Sequence, residues 1–160
     1  MYNKDIKDSR GLYSETVGKG RLESVKDSSL LSSDLRSESK RILIVDDNSD
    51  ITLTLRMGLE DNDATMEVHC YNNPAKALLD FKPNFYDLLL VDVNMPLMDG
   101  FELCKKLVEK DLNVRVCFMT SGEINMDAVR DVHPLKSIGC FIKKPITADA
   151  LAKRIRAELE

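Results

Sequence analysis

The chain has 160 residues, 43% of them hydrophobic and 31% charged, with no Trp and a formal net charge of −4. That is the composition of a soluble globular protein with length for one domain and something extra. The charge is uneven: the first 41 residues carry nine Lys/Arg and seven Asp/Glu, leaving the remainder at −6, which argues against a surface for nucleic-acid phosphates.

No run of 18 apolar residues exists, so no transmembrane helix is expected. Met1-Tyr2-Asn3-Lys4-Asp5 lacks the apolar core of a signal peptide. The expected location is therefore the cytoplasm, away from membranes. Cys70, Cys104, Cys117 and Cys140 are widely spaced, form no CxxC and fall in apolar patterns. They read as four buried free thiols.

Residues 1–40 are rich in Ser and charge, are interrupted by Gly11, Gly18 and Gly20, and show no sustained period. Such a segment buries too little apolar surface to offset its ordering entropy, and it reads as a disordered tail. Gly18-Lys19-Gly20 is not a nucleotide loop, because Tyr13 and Gly20 stand where a Gly and a Ser or Thr are required. Ser28–Leu35 reads as flexible linker rather than as a helical turn on a partner.

From Arg41 onward the texture changes. Ile42-Leu43-Ile44-Val45 is a short buried strand ending in Asp46-Asp47. Asn48 or Ser49 caps a helix to about Glu60, with Ile51, Leu55 and Leu59 on one stripe. Met66–Tyr71 alternates as a strand with one wetter face. Asn73-Pro74 opens a helix through about Phe81. Leu88-Leu89-Leu90-Val91 is apolar throughout, as expected of a strand covered on both faces, and Asp92 stands at its end.

Asp99-Gly100 starts a helix with Phe101, Leu103, Cys104, Leu107 and Val108 inward. Val114–Met119 is the next strand, followed by Thr120-Ser121-Gly122. A helix is predicted over 126–132, stopped near His133-Pro134. Ile138–Ile142 is the last strand and runs into Lys143-Lys144-Pro145. Thr147 caps a final helix carrying Leu151, Ile155 and Leu159 on its inner stripe.

Five strands alternating with five helices predict an α/β fold: a five-stranded parallel sheet, order 2-1-3-4-5, flanked by five helices. Its switch point falls between the first and third strands, so Asp46, Asp47 and Asp92 should meet in the crevice at their C-terminal ends. The fourth strand end adds a hydroxyl and the fifth an ammonium. Three carboxylates repel unless a cation sits among them. An oxygen-only donor set favours Mg²⁺ (or Mn²⁺) over zinc. A carboxylate can also attack phosphorus, with Lys, hydroxyl and cation neutralising the phosphoryl oxygens.

The ordered motifs Val45-Asp46-Asp47-Asn48, Asp92–Gly100 (DVNMPLMDG), Met119-Thr120-Ser121-Gly122 and Lys144-Pro145 resemble the receiver domain of two-component response regulators, over about residues 40–160. The resemblance implies the flavodoxin-like receiver fold for residues 41–160 and Asp92 as phosphoacceptor. Asp46, Asp47, Asp92 and the backbone carbonyl of Asn94 would hold Mg²⁺. Lys144 would pair with the phosphoryl group, Thr120 would hydrogen-bond it, and Phe141 falls at the aromatic switch position. It further implies a sensor histidine kinase or histidine phosphotransfer protein as donor, in a phosphorelay. The docking face would be formed by the fourth helix, last strand and last helix, in a monomer or a phosphorylation-dependent dimer. The chain is expected to be a stand-alone receiver, not a turnover enzyme on a separate substrate.

Two departures from common receivers stand out. Phe141 lacks the hydroxyl of Tyr, so an inward ring buries no OH. Gly122 leaves little bulk near the phosphoryl group, which predicts a short-lived acyl phosphate. The alternatives are a constitutive interaction module on the same fold and a flavodoxin-like cofactor binder. The second lacks a hydroxyl- and Gly-rich loop after the first strand.

Overall fold

The structure is a computed structural model that describes residues 39–123, 127, 129 and 138–160. The chain divides between Glu38 and Ser39, and the described residues belong to the second unit. The predicted tail and Ser28–Leu35 lie outside them. The elements are β1 (Lys40–Val45), α1 (Ser49–Asn62), β2 (Met66–Tyr71), α2 (Pro74–Asp80), β3 (Leu88–Asp92), α3 (Gly100–Lys110), β4 (Arg115–Thr120), β5 (Ile138–Lys143) and α4 (Ala148–Leu159). The helix predicted over 126–132 falls largely outside the described residues. Of it, Asp127 and Val129 have helical backbone, and Val129 is buried.

All strands are parallel, in the order β2-β1-β3-β4-β5. Because successive side chains point to opposite faces, each central strand feeds two cores. Leu43, Val45, Leu89, Val91, Val116 and Phe118 pack on the side of α2 and α3. Ile42, Ile44, Leu88, Leu90, Cys117 and Met119 pack on the side of α1 and α4. This is why β1 and β3 read as unbroken apolar runs. It also makes the crevice: β1 leads into α1 on one face and β3 into α3 on the other, so the two loops part above Asp46 and Asp92.

The helix starts follow from their caps. Asn48, not Ser49, caps α1, its side chain accepting from the Asp50 and Ile51 amides at 2.9 and 3.3 Å. Asp99 caps α3 by accepting from Glu102 N at 2.8 Å, and Gly100 follows because a Cβ there would run into the Asp92 carbonyl. The phosphoacceptor candidate and the α3 start are thereby locked to one backbone path. Gly58 has a similar role lower down, where a Cβ would collide with Ala148 and push α1 off α4.

Arg156 of α4 completes that contact, donating to Asp63 at 2.7 Å and to the Asn62 carbonyl at 3.0 Å. Hydrogen bonds from Thr65 and then from Arg156 hold Asp63 at about 2, below its ordinary 3.8. A depressed carboxylate stabilises the fold above its unfolded value and loses that contribution as pH falls through the folded one. The Asp63 side chain is 18% exposed, so screening discounts the effect. Arg156→Met is expected to lower stability at neutral pH by about 1 kcal/mol. In urea titrations the difference from wild type should shrink as the pH falls from 3.8 toward about 2.

One expectation is corrected. Cys70 and Cys104 are free, but Cys117 and Cys140 are joined in a disulfide. The reason lies in the register. Val116 faces Ile138, yet Cys117 faces Cys140, so Gly139 is an extra residue on β5. A bulge of this kind shifts all later residues of its strand by one place, and here it brings the two cysteines opposite each other.

Candidate functional site

The site forms where β1, β3, β4 and β5 end. Asp46 directly follows β1 and is fully buried. Its Oδ1 accepts from Asn48 N at 2.9 Å, and its own carbonyl accepts from the Asn72 amide at 2.8 Å. Asp92, the last residue of β3, is 5% exposed, with Oδ2 accepting from Asn94 N at 3.1 Å. Lys144 extends from just past β5 and places Nζ 2.6 Å from Asp46 Oδ2 and 2.6 Å from Asp92 Oδ1. Its own N–H donates to the Thr120 carbonyl at 2.8 Å, which ties the ends of β4 and β5.

Asp47 stands exposed beside this pair, and carboxylate oxygens of Asp46, Asp47 and Asp92 lie within 4.8 Å of one another. Burial pushes the Asp92 carboxyl above its ordinary value, opposed by Lys144 and reinforced by the neighbouring Asp46 charge. Burial alone would lower Lys144, but its hydrogen bonds to Asp46 and Asp92 more than reverse that and hold the ammonium above its usual range. Three ionised carboxylates against one ammonium leave two negative charges in the crevice. A divalent cation that prefers oxygen ligands fits both the charge and the donor set.

Thr120 is 2% exposed. Its hydroxyl oxygen accepts from Gly122 N at 3.1 Å and from the Asn94 amide at 3.5 Å. Both contacts use it as an acceptor, so its own O–H is what it can offer a ligand. The Asn94 amide contact is absent from the sequence reading, which assigned Asn94 a part only through its carbonyl. Phe141 does not reach the acidic cluster. It stacks on Phe118 with centroids 5.5 Å apart, and Phe118 in turn meets Phe101 at 4.7 Å. Beside the cluster, between α1 and the segment after β5, lies a cleft of about 440 Å³ whose lining includes Ile51, Leu55, Met119, Ile146, Ser121 and Lys144.

Fold and site together define a doubly wound α/β domain with an acidic, lysine-bridged crevice at its switch point. Residues 42–156 match the response regulator receiver domain, and the chain belongs to that family. The transcriptional regulatory protein PrrA of Mycobacterium tuberculosis is 31% identical over 121 residues, covering 76% of this chain and 50% of that protein. The chain thus spans about half the length of the curated relatives it matches first. A CheY-like response regulator receiver domain protein from Methanospirillum hungatei superposes with a TM-score of 0.66 at 26% identity, covering 76% of this chain and 94% of that one. The non-phosphorylated HemR receiver domain from Leptospira biflexa gives 0.66 at 24%, covering 76% and 95%. Among the described residues no helix is long and apolar enough to cross a membrane.

Proposed function

We propose that this receiver accepts a phosphoryl group on Asp92 from a phosphohistidine of a histidine kinase or histidine phosphotransfer protein. Mg²⁺ (or Mn²⁺) would be held by Asp46, Asp47, Asp92 and the Asn94 carbonyl, and would supply positive charge to neutralise the phosphoryl group. The observation that carries the reading is the Lys144 ammonium held 2.6 Å from two buried carboxylates in a crevice that also holds Asp47.

In the transfer, a carboxylate oxygen of Asp92 forms the new bond to phosphorus as the bond to the imidazole nitrogen breaks, and the histidine leaves neutral once protonated. Lys144 exchanges its contact with the Asp92 carboxylate for phosphoryl oxygens, keeping Asp46 as its anchor. The Thr120 O–H donates to another phosphoryl oxygen. Phosphorylation then biases a two-state equilibrium through Thr120 and Phe141, and with it a docking face that includes β5 and α4. The domain turns over no separate substrate; it accepts and hydrolyses its own phosphoryl group.

The test is intact-mass measurement after incubation with acetyl phosphate and Mg²⁺. One added phosphoryl group on wild type and none on Asp92→Asn is expected. Wild type that stays unmodified would leave a constitutive interaction module.

The lifetime of the acyl phosphate depends on Gly122. Among the described residues a Cβ built there meets the Thr120 hydroxyl alone, at 4.0 Å, so Gly122 itself puts no bulk in the way of water. Gly122→Glu is expected to slow loss of the phosphoryl group several-fold, measured as decay after the donor is removed. A wild type that decays more slowly than the variant defeats this account.

A further inference from the structure

The Cys117–Cys140 pair lies beside the site without belonging to it. Among the described residues β5 is at the edge of the sheet, hydrogen-bonded to β4 alone. The two cysteines oppose each other because of the Gly139 bulge; without it Cys140 would lie opposite Phe118, on the other face of the sheet. Their Cα atoms are 4.6 Å apart, inside the range of about 4.4–6.8 Å over which a disulfide closes without moving the backbone. Gly139 is also where Glu158 of α4 lies against the strand, so a side chain at the bulge would displace that helix residue.

Beyond the pair, the ladder runs Phe118 to Phe141, Met119 to Ile142 and Thr120 to Lys143. Thr120 is thus three residues past Cys117 and Lys144 four past Cys140. β4 carries one proposed phosphoryl ligand, Thr120, and β5 carries Phe141 and leads directly into the other, Lys144. The crosslink sits one residue beyond Phe141 as seen from the site, so it pins the β4–β5 register directly behind that ring and limits any shift of β5 that moves Phe141. An edge strand held by one ladder opens locally at lower cost than a central one, so a covalent tie matters most here.

We propose that Cys117 and Cys140 are a reversible redox couple that sets how freely β5 moves against β4, and so how strongly phosphorylation is transmitted to β5 and α4. The transmission step rests on the phosphoacceptor reading above. Both cysteines are almost fully buried, at 0% and 3% exposure, so the oxidant is small and uncharged, of the hydrogen peroxide class, and enters when the edge strand opens. One sulfur attacks a peroxide oxygen, the O–O bond breaks, and a sulfenic acid and one water result. The second sulfur then attacks the first, forming the S–S bond and releasing a second water. Two electrons pass from sulfur to peroxide. A dithiol reverses the change, becoming a disulfide itself and returning a proton to each cysteine.

The experiment uses the full chain treated with hydrogen peroxide or with dithiothreitol, then denatured and alkylated. Peroxide is expected to leave two of the four cysteines alkylated, with Cys117 and Cys140 protected, and dithiothreitol all four. Amide exchange of β5 should be about tenfold slower in the oxidised protein. That difference should vanish in Cys117→Ala and in the more conservative Cys140→Ser. After acetyl phosphate and Mg²⁺, the change in exchange over β5 and α4 should be larger in the reduced protein. Four alkylated cysteines after peroxide overturn the couple. A disulfide that forms but leaves the phosphorylation-linked change equal in both states overturns the transmission. Failure to phosphorylate in either state overturns the phosphoacceptor reading and the transmission with it, while the alkylation and exchange measurements still decide the couple.

Discussion

Lys144→Met is expected to lower stability at neutral pH by about 3 kcal/mol and to abolish most phosphoryl acceptance. The ammonium is the only basic group in contact with Asp46 and Asp92 among the described residues, 2.6 Å from each. Removing it leaves two buried carboxylates facing one another with no compensating charge. Breaking a buried pair costs about 3–5 kcal/mol, and the 19% exposure of the Lys144 side chain places this site at the low end.

The pH dependence has a definite sign. Asp92 already sits above its ordinary value through burial. A carboxyl raised on folding binds its proton more tightly in the native state, so stability falls as pH rises from the unfolded value through the folded one. Without Lys144 the Asp92 value moves further up, and the loss deepens and extends to higher pH. The variant should therefore recover toward wild type at acidic pH and be weakest at neutral pH. Added Mg²⁺ should restore part of the difference, since a divalent cation also neutralises the pair. Urea midpoints at the two pH values, with and without Mg²⁺, read all of this. A variant as stable as wild type at neutral pH defeats the account. Lys144→Arg is no substitute, because a planar fork cannot place one donor nitrogen on both carboxylates as the ammonium does.

The crevice was legible because strand ends in a parallel sheet are informative. Leu88–Val91 could be read as doubly covered from its unbroken apolar run, and the positions of Asp46 and Asp92 follow from the order of elements alone. What Lys144 does with them did not follow. It is separated from Asp46 by 98 residues, and in the sequence it is marked only by its place in the Lys144-Pro145 motif. The side-chain path that bridges two carboxylates exists only in three dimensions.

The disulfide was hidden for a different reason. Strand periodicity assigns faces by counting in twos, and a single bulged residue at Gly139 reverses the count for everything after it. Nothing local to Gly139 announces that, since a Gly in a strand also serves for close backbone approach. The α1 cap was likewise open between Asn48 and Ser49, because either side chain can accept from the first turn and backbone conformation chooses. The Asn94 amide reaches Thr120 through the shape of a loop, which composition does not encode.

Asp47→Asn should separate cation binding from folding more cleanly than any other change in the crevice. Asp46 and Asp92 are both tied to Lys144, so neutralising either disturbs the ion pair along with the cation site. Asp47 is exposed, and the amide keeps its shape. Its stability without metal should stay within about 0.5 kcal/mol of wild type. The site's charge, however, falls from two negative to one. A unit charge about 4 Å from a divalent cation contributes about 8 kcal/mol at an effective dielectric of about 20. Water around an exposed side chain removes much of that, yet a third of it still corresponds to about a hundredfold in affinity. Calorimetric titration with Mg²⁺ should show that weakening, and the Mg²⁺ concentration needed for half-maximal phosphorylation by acetyl phosphate should rise in parallel. A calorimetric affinity equal to wild type would mean that the cation is held without Asp47. A weakened affinity with an unshifted Mg²⁺ requirement would mean that the cation bound there is not the one the transfer uses.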